Sequence, residues 1–330
     1  MKSVLILMST YNGEKYLKTQ IDSLLAQKNV NVSIVVRDDG STDGTISILN
    51  EYKKRNALEW YSGKNMGPAG SFLDLIYNAP LGYDYYAFCD QDDYWMEEKL
   101  YNAVTQLENY YARPALYHCE LEIVDEDLKY IRTTHNSKKT EYIDQTLMVF
   151  YIPGCTMVFN NCLLEIVQKK IPRFDLITMH DCWMYYICLG IGGQIISDCK
   201  AYIKYRQHEN NAIGASRIAL KKKIQMICKK NNSPRVQMIA EIIRLYSFDM
   251  KKKIQMICKK NNSPRAQMIA EIIRLYSIDM KKEYLIHYEK FASYPKSLKS
   301  KKYFWRQSTR GIFTTRELQK AKLRILFQSL

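Results

Sequence analysis

The chain contains no uninterrupted apolar segment long enough to cross a bilayer. Near its start, Val4 to Met8 is apolar and follows Lys2, but the run stops after five residues, against about 20 for a membrane span or at least 7 for the core of a secretory signal. The longest later stretch, Tyr185 to Ile196, is interrupted by Gly190, Gly192 and Gly193. A cytoplasmic location is the expectation. None of the nine cysteines forms a Cys-x-x-Cys pair, which argues against a zinc site or a disulfide framework and for reduced, mostly buried thiols. The basic runs carry no interleaved aromatic residues of the kind that stack on bases, so a nucleic-acid partner is not expected.

Acidic residues are unevenly missing. The first 200 residues hold 19 Lys+Arg against 26 Asp+Glu, and the remaining 130 hold 30 against 8. An acidic part is thus followed by a strongly basic one, a division that favours an anionic surface as partner of the second part. With 47% hydrophobic and 25% charged residues in a length of 330, a substantial buried core is expected rather than disorder.

Apolar runs followed by polar turns and helical periodicity recur. Val4 to Met8 leads through Ser9-Thr10-Tyr11-Asn12-Gly13 into a helix marked by Leu17, Ile21 and Leu24. Val32 to Val36 leads through Asp38-Asp39-Gly40-Ser41-Thr42-Asp43-Gly44 into a helix with Ile48, Leu49 and Tyr52. Leu58 to Tyr61 precedes a helix at about 69–77, and Tyr85 to Cys89 ends in Asp90-Gln91-Asp92-Asp93 before a helix through Leu100 and Leu107. Alternation of this kind implies a mainly parallel sheet flanked by helices. Ligands of such sheets bind at the carboxyl ends of the strands, where the three polar clusters fall. Residues 115–205 are less regular, with strand-like runs at Leu116 to Val124 and Met157 to Phe159 and a helix after His180.

From Ile218 onward the pattern is helical. Residues 221–250 recur at 251–280 with only Val236/Ala266 and Phe248/Ile278 differing. In each copy an Asn-Asn-Ser-Pro break places Ser233 or Ser263 as helix cap and Pro234 or Pro264 at the first helical position. Two copies do not make a solenoid, which needs about three, so a lengthened helical appendage is expected. Lys221 to Lys223, Lys229 and Lys230 flank Ile224, Met226 and Ile227, an arrangement suited to a helix lying on an anionic membrane.

Asp90, Asp92 and Asp93 put three carboxylates just past a buried strand. A helix N-terminus explains one of them; a hard divalent cation explains several. The Asp38-Asp39 cluster reads equally as a capped turn or as an acceptor for a base N–H.

Together, Ser9 to Gly13, Asp38 to Gly44 and Cys89 to Asp93 resemble the family 2 glycosyltransferases of the GT-A fold. Gly154-Cys155-Thr156-Met157, His180-Asp181-Cys182-Trp183 and Tyr205 to Asn211 are similar to the bacterial rhamnosyltransferase-like branch of that family. The resemblance implies a catalytic domain over 1–215, with a nucleotide-binding half at 1–112 and an acceptor-binding half at 113–215, followed by the basic helical region at 216–330. It implies that Thr10, Tyr11, Asn12, Glu14, Asp38, Asp39, Asp90 and Gln91 hold the nucleotide-sugar. Asp92, with Asp90 and His208, would ligate Mg²⁺ or Mn²⁺, and Asp181 would take the acceptor proton in an inverting displacement. Asp93, Trp183, Gly154, Cys155 and His180 would face the acceptor or sugar. The expected partners are a nucleotide-sugar donor, dTDP-rhamnose or alternatively a UDP-hexose or UDP-N-acetylhexosamine, and a lipid-linked glycan of surface or capsular polysaccharide. The protein would then be peripheral on the inner face of the cell membrane. A sugar nucleotidyltransferase would instead need a basic, Gly-rich first loop, and Ser9 to Gly13 has no Lys or Arg. Two positions depart from the family: Glu209 stands where relatives commonly have Gly, and Pro68 to Ser71 lacks a basic diphosphate contact, leaving Lys64 or Arg206 to substitute.

Overall fold

The computed structural model describes residues 1–134, 152–208 and 264–293. The expected amphipathic helix at 221–230, the first repeat copy, Ser263 and Glu209 lie outside the described residues. Nine strands form one sheet in the order β3-β2-β1-β4-β8-β6-β9-β5, with β7 pairing β6. They are β1 (Ser3–Thr10), β2 (Asn31–Asp38), β3 (Glu59–Ser62), β4 (Tyr85–Cys89), β5 (Tyr94–Trp95), β6 (Ala115–Val124), β7 (Tyr130–Thr133), β8 (Val158–Asn160) and β9 (Gln194–Arg206). The helices are α1 (Leu17–Leu25), α2 (Thr45–Lys54), α3 (Gly67–Asn78), α4 (Lys99–Leu107), α5 (Asn161–Gln168), α6 (His180–Gly190), α7 (Pro264–Tyr276) and α8 (Lys282–Ser293).

The first half, β3-β2-β1-β4, is parallel throughout. The second half is mixed: β8 runs antiparallel to β4 and β6, and β9 pairs parallel with β6 and antiparallel with β5. β1 lies inside the sheet and is covered on both faces, as its unbroken apolar run requires. Leu5 and Leu7 join one core with α3, α5 and α6, while Val4, Ile6 and Met8 join the other with α1, α2 and α4.

Register places the functional loops. Thr10 is opposite Asp38 and Met8 is opposite Cys89, so the turns after β1, β2 and β4 leave the sheet along one edge. Tyr94 of β5 pairs Lys204 of β9, which carries the end of β9 to the same edge.

α6 has the sequence HDCWMYYICLG, and every residue except Leu189 is buried. A helix without a polar face needs cover on all sides. Part of that cover is the second repeat copy: Met268, Ile269, Ile272 and Tyr276 of α7, with Tyr288 of α8, are fully buried in the core that contains α6. Each such side chain contributes about 1.5–3 kcal/mol of burial. Pro264 opens α7, as the Ser-Pro break predicts. This stretch of the basic region is therefore packed into the same core as α6. Among the described residues no helix is long and apolar enough to cross a membrane, and the seven cysteines they include are all free.

Candidate active site

The turns after β1 and β2 are stitched to each other. Thr10 Oγ1 donates to Asp38 Oδ1 at 3.2 Å, and Asp38 Oδ2 accepts the Gly40 and Ser41 N–H groups at 3.0 and 2.9 Å. Ser41 Oγ donates to Asp38 Oδ1 at 2.5 Å and accepts the Asn12 N–H at 2.9 Å. Asn12 Oδ1 accepts the Thr42 N–H at 2.8 Å, and Glu14 Oε2 accepts the Gly44 N–H at 2.9 Å. Asp38 is 0% exposed. Thr10, Asn12, Glu14 and Asp38 thus build the frame, and Tyr11, 49% exposed, is the member whose ring stands open at its rim.

Asp39 is also buried and spoken for. It accepts from the Met66 and Gly67 N–H groups at 2.9 Å each, and from Arg37 at 2.5 Å. Arg37, which sequence reasoning missed, spans Asp39 and Asp74, the latter at 3.0 Å. The available signal was a lone cation in the apolar run Ile34-Val35-Val36-Arg37, where a charge is buried only if paired.

The cluster after β4 is different. Asp93 is 0% exposed; its Oδ1 accepts the Arg206 N–H at 3.1 Å, and its Oδ2 has no partner among the described residues. Burial, and then the charges of Asp92 and Asp90, push its carboxyl well above the usual range. Asp90 is pushed up by burial first and by the charges of Asp92 and Asp181 next. Behind them Lys99 is fully buried, its ammonium 2.9 Å from the centre of the Trp95 ring, with burial lowering its pKa to about 8.

Asp92 is partly buried, its side chain 16% exposed, and its Oδ2 lies 2.7 Å from His208 Nε2. Arg206 supports this pair from behind, donating to the carbonyls of Asp92 and Glu126, with its guanidinium over the Tyr16 ring at 4.4 Å. Gln91 ties the cluster to the first turn, accepting the Tyr11 N–H at 2.9 Å and donating to the Tyr11 carbonyl at 3.0 Å. Asp181 lies in the first turn of α6, 6% exposed, with its Oδ1 accepting the Cys182 N–H at 2.6 Å. Met179 is the residue before that turn, so neither His180 nor Asp181 serves as the helix cap.

Thr10, Asn12, Glu14, Asp38, Gln91, Asp92 and His208 lie along this one edge of the sheet. The residues expected on the acceptor side are not at the surface. Trp183 is 0% exposed, and Gly154, Cys155 and Asp93 are buried. His180 is 3% exposed, stacked on Phe72 at 3.9 Å and edge-on to Phe88, with both ring nitrogens unpartnered among the described residues. Burial lowers its pKa to about 3. A side chain at position 154 would collide with this ring, so Gly154 is fixed by packing. Lys64 is exposed and Arg206 is committed to the wall.

Asp90, Asp93 and Cys155 offer donor atoms within 4.8 Å of one another. That set suits Mg²⁺ or Mn²⁺ poorly, because Asp93 and the thiol are sealed from a phosphate-bearing ligand and burial holds the thiol protonated. The partly exposed Asp92 carboxylate, paired with His208, suits such an ion better, because carboxylate oxygen is the donor that Mg²⁺ and Mn²⁺ favour.

The model of glycosyl transferase family 2 matches residues 5–166. The chain is 33% identical over 225 residues to the dTDP-rhamnosyl transferase RfbG of Shigella flexneri, covering 63% of this chain and 74% of that protein. To an uncharacterized glycosyltransferase of Haemophilus influenzae it is 30% identical over 192 residues, covering 57% and 72% of the two chains. S. aureus TarS 1-349 in complex with UDP-GlcNAc superposes with TM-score 0.52 over 99% of this chain and 90% of that one, at 17% identity, a likeness of fold alone. Fold and site define a GT-A enzyme that uses a nucleotide-sugar donor. The chain belongs to glycosyl transferase family 2.

Proposed function

We propose that the protein is an inverting, metal-dependent rhamnosyltransferase that moves L-rhamnose from dTDP-rhamnose to a lipid-linked glycan of a bacterial surface polysaccharide. The observation that carries the donor is the 33% identity to RfbG, which spans 74% of that protein. In this reading the Tyr11 ring and the loop frame of Thr10, Asn12, Glu14, Asp38 and Asp39 receive the nucleoside. Asp92 and His208, with Asp90, hold Mg²⁺ or Mn²⁺, which when bound neutralises the charge of the departing diphosphate. Asp181 takes the proton of the attacking hydroxyl, the one proton transfer a single displacement requires. Raised carboxyl pKa values at Asp90 and Asp93 fit a place where cation and ligand, not the protein, complete the charge balance. The basic segment after residue 208 holds the enzyme at the inner face of the membrane, where a lipid-linked acceptor resides.

The test is thermal stabilisation by dTDP-rhamnose, UDP-glucose and UDP-N-acetylglucosamine, each with and without Mn²⁺, followed by the anomeric configuration of the product by NMR. Mn²⁺-dependent stabilisation by the dTDP-sugar and an inverted product are expected. A preference for a UDP-sugar removes rhamnose, and a retained configuration removes Asp181 as the base of a single displacement.

A further inference from the structure

The apolar face of α6 is covered by a helix whose sequence occurs twice in the chain. Seated there are residues 264–280 of the second repeat copy. Met268, Ile269, Ile272 and Tyr276 are fully buried, and Tyr276 Oη donates to the Val167 carbonyl at 3.2 Å. Glu271 accepts the Arg173 N–H at 3.0 Å, and Met280 packs where Gly190 leaves room. Thirty positions earlier the first copy carries Met238, Ile239, Ile242, Tyr246, Glu241 and Met250, the same residues at the same spacing. Of the two differences between the copies, Phe248/Ile278 falls on a residue that is 96% exposed and touches nothing in the seat.

Both copies carry the residues that fill this one surface, so something beyond those shared residues must favour the second copy. That is the sequence that follows. The second copy runs directly into α8, where Tyr288 is fully buried and its hydroxyl donates to the Tyr186 carbonyl at 2.6 Å. Thirty residues before Tyr288 stands Cys258, and thirty before Leu285 stands Gln255, so the sequence after the first copy does not repeat this second anchor. Reach does not discriminate. The 27 residues from 207 to 233 extend to roughly 90 Å, well beyond the roughly 20 Å radius of gyration of a chain this size.

We propose that the outer face of α6 is a docking surface with two matched occupants in the same chain, residues 264–280 and residues 234–250. Residues 264–280 hold it through their continuity with α8, and residues 234–250 take it when the second copy is removed or impaired. The duplication is thereby a spare for a core element, independent of which sugar the enzyme moves.

The test uses the full chain with Ile242→Asp, Ile272→Asp and the double substitution, followed by thermal unfolding. A carboxylate in this seat is strongly unfavourable. Ile242→Asp is expected to leave the Tm unchanged. Ile272→Asp should lower it by a few degrees as the first copy replaces the second, and the double variant should lose far more than the sum, or fail to fold. Additive effects, or an Ile272→Asp variant as damaged as the double, overturn the proposal. The Ile→Ala versions give the same ordering at smaller size. Deleting residues 251–280 joins Met250 to Lys281, so that residues 234–250 lead into α8 as the second copy does. This variant should retain the parental fold with a Tm within a few degrees, and loss of soluble folded protein overturns the proposal as well.

Discussion

The two acidic pairs at the sheet edge, Asp38-Asp39 and Asp92-Asp93, look alike in sequence and are opposites in the fold. Asp38 and Asp39 accept hydrogen bonds from backbone N–H groups, hydroxyls and Arg37 until little acceptor capacity remains. Asp90, Asp92 and Asp93 crowd one another, and two of the three are pushed toward protonation. Carboxylates of the first kind hold a loop in shape. Those of the second kind repel one another, a repulsion that the proposed cation would relieve.

Substitutions at the two clusters should therefore move activity and stability in opposite proportions. The largest effect on turnover is expected at Asp181, where Asn should lower kcat by about 10²–10⁴-fold while leaving donor affinity intact; equal losses in both would show that the residue binds rather than transfers the proton. Asp92→Asn should remove several kcal/mol of transition-state stabilisation and the Mn²⁺ requirement together, yet leave the Tm of the metal-free protein unchanged or raised, because one like charge is gone. Asp38→Ala should do the reverse. Loss of a buried acceptor shared by several donors costs about 3 kcal/mol, read as a clear fall in Tm before any kinetic defect. If Asp38→Ala is stable and Asp92→Asn is not, the contrast is wrong.

Two buried bases refine the contrast through pH. The Lys99 pKa is lowered from 10.5 to about 8 by burial. Between those values the unfolded chain binds more protons, so stability rises with pH across that window, by roughly 3 kcal/mol in full. Lys99→Met should flatten that rise in denaturant midpoints measured from pH 8 to 10.5. The smallest effect is at His180, whose pKa burial lowers from 6.5 to about 3. The unfolded state protonates first, and stability is lost as pH falls below 6.5. His180→Asn should reduce the slope of that acid loss.

Much of the parallel half was legible because its strands are continuous apolar runs and each ends in a polar turn. From that pattern alone the three clusters are expected on one edge, and the pairing of Thr10 with Asp38 puts them there. The mixed half of the sheet was harder to read. β9 mixes Asp198, Lys200 and Lys204 among its apolar residues, because it pairs on both sides yet lies largely near the surface, and no periodic signal marks it. Trp183 and His180 stand in a motif that resembles a ligand-facing one, but they point into the core. The clue was the absence of any polar face on α6, which leaves no solvent side for either ring. The same clue bears on the repeat: a helix apolar all round needs a cover, and the chain supplies it from the region that composition had set apart.

Gln91 gives the spelling of the acidic motif a reason outside metal chemistry. Its side-chain amide meets the Tyr11 N–H and C=O the way a neighbouring peptide group would, in effect adding a rung to the sheet where the backbone has none. Glutamate has the same length but offers no donor, and it would set a fourth negative charge in the cluster against a carbonyl oxygen. The residue between Asp90 and Asp92 is thus dictated by the first turn. Any shift of the Tyr11 backbone is passed along that rung to the carboxylates on either side.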